Sequence, residues 1–188
     1  MATIVVPHRG ASGKTRLPAS PSRPELVAAM LHDVLAACLE VGRTVVVTPE
    51  PVGVLTGVEV VADRGAGQGV AVEAGLALAG NGAVLVLNSD LPCATPPDLV
   101  LLLGAVPRDG LALVPAADGT TNALALSSAN LFQPLYGPGS AARFAALAPS
   151  RALQLQNLVD DVDTVHDLAR VAGRAGPRTR AVWQAAAA

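Results

Sequence analysis

The chain has 188 residues, 51% of them apolar, and its 13 basic against 15 acidic side chains leave a net charge of −2. That is ample apolar material for one buried core and speaks against disorder. A near-neutral balance with four aromatic residues offers neither a basic field nor a stacking platform, which excludes nucleic acid as an expected partner. No apolar stretch reaches the roughly 18 residues of a membrane span, and the first residues lack the charged region of a signal peptide, so a cytoplasmic protein with no membrane partner is expected.

In chain order, the first β-branched run, Thr3 to Val6, opens onto Pro7-His8-Arg9-Gly10-Ala11-Ser12-Gly13-Lys14-Thr15-Arg16-Leu17. Lys14 is the one lysine against twelve arginines, a compact ammonium suited to a phosphate oxygen. Gly10 and Gly13 leave amides able to face an anion and Arg16 adds charge, so this reads as a phosphate-handling loop. The P-loop pattern does not fit: its first glycine falls on His8, and Pro18, Pro21 and Pro24 interrupt the helix that must follow.

Glu25 to Val41 places Val27, Leu31, Val34, Cys38 and Val41 on one helical face, with Pro24 before it and Gly42 after it. Strand patterns follow at Thr44 to Thr48, Val58 to Val61, Ala83 to Leu87 and Leu111 to Pro115, with further candidates at Thr121 to Leu126 and Leu158 to Val162. Helical patterns fall at Gln68 to Ala79, Pro97 to Leu103, Ser140 to Leu147 and Thr164 to Val171. Strands alternating with helices predict an α/β domain on a largely parallel sheet over residues 1–172, followed by a loosely held tail over 173–188. Cys38 and Cys93 lack metal-ligand spacing and read as buried apolar residues. The sequence alone assigns no role to His8, His32 or His166.

Asp90 follows the run Ala83 to Leu87, which puts a carboxylate at the carboxyl edge of a parallel sheet, where ligands bind. In an extended segment residues two apart share a direction, so Asp161 and Asp163 converge while Asp160 and Val162 point elsewhere, and loss of Asp160 is expected to be mild. Three such carboxylates suit a hard cation such as Mg²⁺; as alternatives, Asp90 serves a turn and Asp163 the start of the Thr164 helix. Gly137-Pro138-Gly139-Ser140 with Arg143 one turn on offers amides and a guanidinium to a second anion, or a plain helix cap. The loop Asp63 to Gly69 sets Gln68 where its amide reads a base edge or merely solvates the loop. Asp118-Gly119-Thr120-Thr121-Asn122 reads as a hairpin connection.

Lys14-Thr15-Arg16-Leu17, Ser89-Asp90-Leu91-Pro92, Gly119 to Leu124, Gly137 to Arg143 and Asp161-Val162-Asp163-Thr164 occur in the order seen in the 2-phospho-L-lactate or phosphoenolpyruvate guanylyltransferases of deazaflavin coenzyme biosynthesis, within the molybdopterin-guanylyltransferase-like superfamily. The resemblance covers nearly the whole chain. It implies a three-layer Rossmann-like, GT-A-like nucleotidyltransferase fold with a mostly parallel mixed sheet. It also implies transfer of a guanylyl group from GTP to a small phosphorylated three-carbon acid, with Mg²⁺ and release of pyrophosphate. By the same resemblance Asp90, Asp161 and Asp163 hold metal, Lys14 and Arg16 face the triphosphate, Gln68 and Gly69 flank the nucleotide, and Thr121, Gly139, Ser140 and Arg143 grip the acid. The chain departs from the family pattern at His8, Gly69 and Thr120, where a lysine, an asparagine and a glycine are usual. Two rival readings are a nucleotidyltransferase for a sugar phosphate or pterin cofactor and a non-catalytic nucleotide-binding module; a homodimer stays open as the assembly.

Overall fold

The computed structural model describes residues 1–10, 23–50 and 53–186. Gly13, Lys14 and Arg16 therefore lie outside the described residues. Seven strands form one sheet in the order β3-β2-β1-β4-β6-β5-β7. They are β1 (Thr3–Pro7), β2 (Arg43–Thr48), β3 (Val58–Ala62), β4 (Val84–Leu87), β5 (Leu111–Pro115), β6 (Thr121–Leu126) and β7 (Ser150–Ala152). β1 pairs in parallel with β2 and β4, and β2 with β3; β6 runs antiparallel between β4 and β5. The expected α/β class with a mostly parallel mixed sheet is what the chain forms.

The inner strands are apolar without alternation because both faces are covered. Ile4, Val6, Val46, Leu85 and Leu87 face α1 (Arg23–Leu39) and α3 (Pro96–Gly104), while Val5, Val45, Val47, Val84 and Val86 face α2 (Gln68–Leu76) and Phe144 of α4 (Ser140–Ala145). Successive residues of one strand thus serve opposite layers. Helix α3 starts at a capping box between Thr95 and Asp98, with prolines in its first turn. Among the described residues, no helix is long and apolar enough to cross a membrane.

Two expectations are corrected. Leu158 to Val162 is not a strand. Residues 156–159 coil into α5 (Gln156–Val159), whose Leu158 and Val159 carbonyls accept from the Asn122 amide at 3.1 and 3.0 Å, and only Val162 N reaches across, to Asp90 O at 3.0 Å. Nor is the segment beyond Gly173 loosely held: α6 (Val165–Val171) leads into α7 (Pro177–Ala186), which packs on α1. Leu26, Val27 and Met30 of α1 share a buried cluster with Cys93, Val162, Leu168, Val171 and Ala175, and Val182 and Trp183 pack against it. The joint is polar at its start, where the buried Asp33 carboxylate accepts from Arg178 N at 3.2 Å and Thr179 N at 2.8 Å, satisfying first-turn amides of α7.

Gly176 sits against that joint, and a Cβ there would lie 2.3 Å from Asp33 Cγ. Gly176→Ala is therefore expected to destabilise the protein by about 1–3 kcal/mol, the usual cost of overpacking. Urea unfolding measures it, and an unchanged midpoint would show that α7 does not dock in this way.

Candidate active site

The parallel strands all end at one edge of the sheet, and β6, running the other way, begins there. A cavity of about 220 Å³ opens at this edge. Its wall is assembled from strand ends: Pro7, His8, Arg9 and Gly10 after β1, Asp63 after β3, and Asn88, Ser89 and Asp90 after β4. Gln68 and Ala71 of α2, Val27 and Met30 of α1, and Asp163 close it. Of the candidates read from sequence, Gly10, Gln68, Asp90 and Asp163 meet here. Asp161 joins them, because one carboxylate oxygen from each of Asp90, Asp161 and Asp163 lies within 4.8 Å of the others.

That convergence has a backbone cause. Val162 N donates to Asp90 O, tying the acidic segment to the loop after β4, while the Val162 side chain turns into the core. Asp161 and Asp163, either side of it, therefore share the opposite direction. Asp163 N and Thr164 N both donate to Asp167 Oδ2, at 3.3 and 2.9 Å, in the capping box that opens α6. Helix start and acidic pair thus coexist. Three clustered carboxylates form an all-oxygen set of the kind that a small hard divalent cation prefers, with room left for water and phosphate oxygens, so the residues present fit such an ion.

His8 is 5% exposed, and its Nδ1 lies 3.1 Å from Ser89 Oγ. Burial pushes its pKa down to about 4, although the Asp90 carboxylate pulls the other way. The ring is neutral at pH 7, so this cavity wall has a hydrogen-bonding group where a charged lysine is usual in the resembled family. Gln68 Nε2 donates to Asn88 Oδ1 at 2.8 Å, and Asn88 Nδ2 to Thr121 O at 3.3 Å, linking the α2 side of the cavity to the start of β6. Gly69 adjoins this chain of amides. A Cβ on it would sit 2.5 Å from Pro134 Cβ, so only glycine lets the first turn of α2 abut the segment before α4.

The side-chain grip on an anion expected of Thr121, Ser140 and Arg143 is not what the structure builds. Thr121 and Ser140 are buried with their hydroxyl oxygens 3.0 Å apart, and Ser140 N donates to Gly137 O at 3.0 Å. Arg143 donates to Pro138 O at 2.6 Å and to Leu135 O at 2.8 Å. A turn rich in glycine and proline leaves carbonyls to satisfy, and the guanidinium satisfies them. Thr121, Ser140, Arg143 and Gly139 are not among the residues that line the cavity; Thr121 connects to it through its carbonyl, which accepts from Asn88 Nδ2.

Sequence reasoning missed His8, Asp63, Asn88 and Ser89 as lining. Asp63 and Asn88 stand just beyond strand ends, the same signal that found Asp90, but a single acid or amide there is ordinary turn chemistry. Asp160 was read as pointing away from the pair, which holds. Its side chain is nonetheless buried, with Arg170 on Oδ1 and Arg174 on Oδ2, the latter at 2.5 Å. Burial alone would raise its pKa, but the hydrogen bonds from Arg174, Gln156 and Arg170 outweigh it and hold the carboxyl below its usual range.

The cavity at the strand ends, the acidic cluster and the sheet topology fit a nucleotidyltransferase. The family model described as the MobA-like NTP transferase domain matches residues 23–158, and the chain belongs to that family. It is 36% identical over 200 residues to a phosphoenolpyruvate guanylyltransferase of Sphaerobacter thermophilus, covering 93% of this chain and 95% of that one. It is 35% identical over 204 residues to one of Geodermatophilus obscurus, covering 98% and 95%. Among solved structures, a Desulfovibrio desulfuricans protein assigned to the nucleotide-diphospho-sugar transferases superposes with a TM-score of 0.74 at 18% identity, covering 98% of this chain and 95% of that one, a likeness of fold.

Proposed function

We propose that the chain transfers the guanylyl group of GTP to phosphoenolpyruvate with release of pyrophosphate, a step of deazaflavin coenzyme biosynthesis. The observation that carries the chemistry is the meeting of Asp90, Asp161 and Asp163 within 4.8 Å at the mouth of a polar cavity. The relatives' shared name supplies the substrates. A phosphate oxygen of the acceptor attacks the α-phosphorus in line, the bond from that phosphorus to the bridging oxygen breaks, and pyrophosphate leaves with the electron pair. The nucleophile is already an anion, so no base is required, in keeping with a neutral, buried His8. Asp90, Asp161 and Asp163 would hold Mg²⁺, which would supply neutralisation of the phosphate charge.

The other residues position and stabilise. Gly10 leads into the segment of Gly13, Lys14 and Arg16, whose charges would meet the triphosphate. Gln68 and Gly69 frame the nucleotide on the α2 side. Thr121, tied to Asn88 through its carbonyl, and Gly139, Ser140 and Arg143 beside it would support the acid's side of the site from outside the lining.

With Mg²⁺ and GTP, phosphoenolpyruvate or 2-phospho-L-lactate is expected to yield pyrophosphate at least tenfold faster than glucose 1-phosphate, since a site matched to one acceptor's polar groups discriminates at that level or above. A coupled pyrophosphate assay run side by side measures it. A faster sugar phosphate would overturn the acceptor, and no pyrophosphate from any acceptor would overturn the reaction.

A further inference from the structure

Asp160 stands next to the acidic pair yet faces away from it, and the groups around it are the largest ionic network among the described residues. Both of its oxygens are engaged: Oδ1 by Arg170 of α6, and Oδ2 by Arg174 at 2.5 Å and Gln156 Nε2 of α5 at 2.7 Å. Arg170 also reaches Asp167 Oδ1 at 3.3 Å, and Arg174 reaches Asn157 Oδ1 at 3.0 Å. Asn157 in turn donates to Asp98 Oδ2 of α3 at 3.0 Å. The network therefore fastens α5 to α6 and α3 on either side of the segment that carries Asp161 and Asp163.

Clustered carboxylates repel one another, and an acidic segment between two short helices gains by opening. Two guanidiniums on Asp160 counter this from the side away from the cavity. Resting on the reading of Asp161 and Asp163 as metal carboxylates, we infer that Asp160 with Arg170 and Arg174 is a positioning clamp that sets the spacing of those two carboxylates and hence the affinity of the site for a divalent cation.

Simple electrostatics and positioning predict opposite signs when an arginine is removed. Loss of a nearby positive charge should tighten cation binding, whereas loss of the clamp should weaken it. Arg170 and Arg174 are partly exposed at 43% and 36%, so their replacement by glutamine leaves no new buried charge on their own side chains. Mn²⁺ alone is titrated into the full chain and the unbound ion read by electron paramagnetic resonance, with thermal unfolding run on each variant. Arg170→Gln and Arg174→Gln are each expected to weaken Mn²⁺ binding several-fold, and the double variant by about tenfold, the lower end for residues that orient metal ligands. In turnover the half-saturating Mg²⁺ concentration should rise while the rate at saturating metal stays close to wild type.

Gly110→Ala, whose Cβ would meet Pro149 O at 2.2 Å at the start of β5, away from the strand ends that line the cavity, is the comparison for general destabilisation and should leave Mn²⁺ affinity unchanged. Unchanged or tighter Mn²⁺ binding in the arginine variants overturns the clamp. So does an equal loss of affinity in Gly110→Ala. If the wild-type chain takes up no Mn²⁺, or Asp163→Asn takes up as much as wild type, the metal reading itself fails, and the clamp with it.

Discussion

Asp163→Asn and Asp90→Asn should each cost about a thousandfold or more in pyrophosphate release while leaving the thermal midpoint close to that of the wild type. A metal ion in this chemistry is worth several kcal/mol of transition-state charge stabilisation, and each 1.4 kcal/mol or so is a factor of ten in rate. Asparagine keeps the shape and one oxygen of the side chain but withdraws the charge. Because Asp90, Asp161 and Asp163 crowd within 4.8 Å, neutralising one also relieves repulsion when no cation is present, which is why folding should not suffer. Asp161→Asn belongs to the same group. Single-turnover pyrophosphate release with circular dichroism on the same samples measures both sides of the expectation. Turnover within tenfold of wild type in either variant would remove the carboxylates from the chemistry.

Lys14→Ala is expected to cost two or more orders of magnitude in turnover, and Lys14→Arg to recover only part of it. Gly10 lines the cavity, and the chain after it carries the one ammonium in the protein four residues on. A lysine head is a small, strongly hydrated charge that seats on one phosphate oxygen, whereas a guanidinium is a planar fork of different reach. Steady-state kinetics with GTP varied separates the outcomes. A variant that turns over within a few-fold of wild type makes this loop a connection between β1 and α1 and nothing more.

What could be read from sequence follows burial. β1, β2 and β4 are covered on both faces, so they are written as continuous apolar runs rich in β-branched residues, and α1 is bracketed by Pro24 and Gly42. β7 went unread because Ser150, Arg151 and Ala152 are exposed and only three residues long. α5 looks like a strand because Leu158 and Val159 are apolar neighbours; the helix depends on carbonyl caps from Asn122, on a strand more than thirty residues earlier.

The acidic trio was legible because i, i+2 spacing and a strand end are local features. The cavity wall was not, since His8, Asp63 and Asn88 become neighbours only once β1, β3 and β4 are ordered in the sheet. Arg143 shows the opposite failure. Its place one turn into a helix after a glycine turn suggests an anion, and only coordinates show the guanidinium taken up by Leu135 and Pro138 carbonyls.

The joint between α1 and α7 also orders events in time. Asp33 is made early, yet the amides that donate to its buried carboxylate belong to residues 145 and 146 positions later. Val27 and Met30, which line the cavity, belong to the same cluster that Val182 and Trp183 cover. On a chain emerging from the ribosome, α1 therefore waits with one side uncovered and a carboxylate still in water until α7 has been made. The part of the cavity wall formed by Val27 and Met30 sets only after α7 has been made, which makes the nascent α1 face a segment in need of shielding.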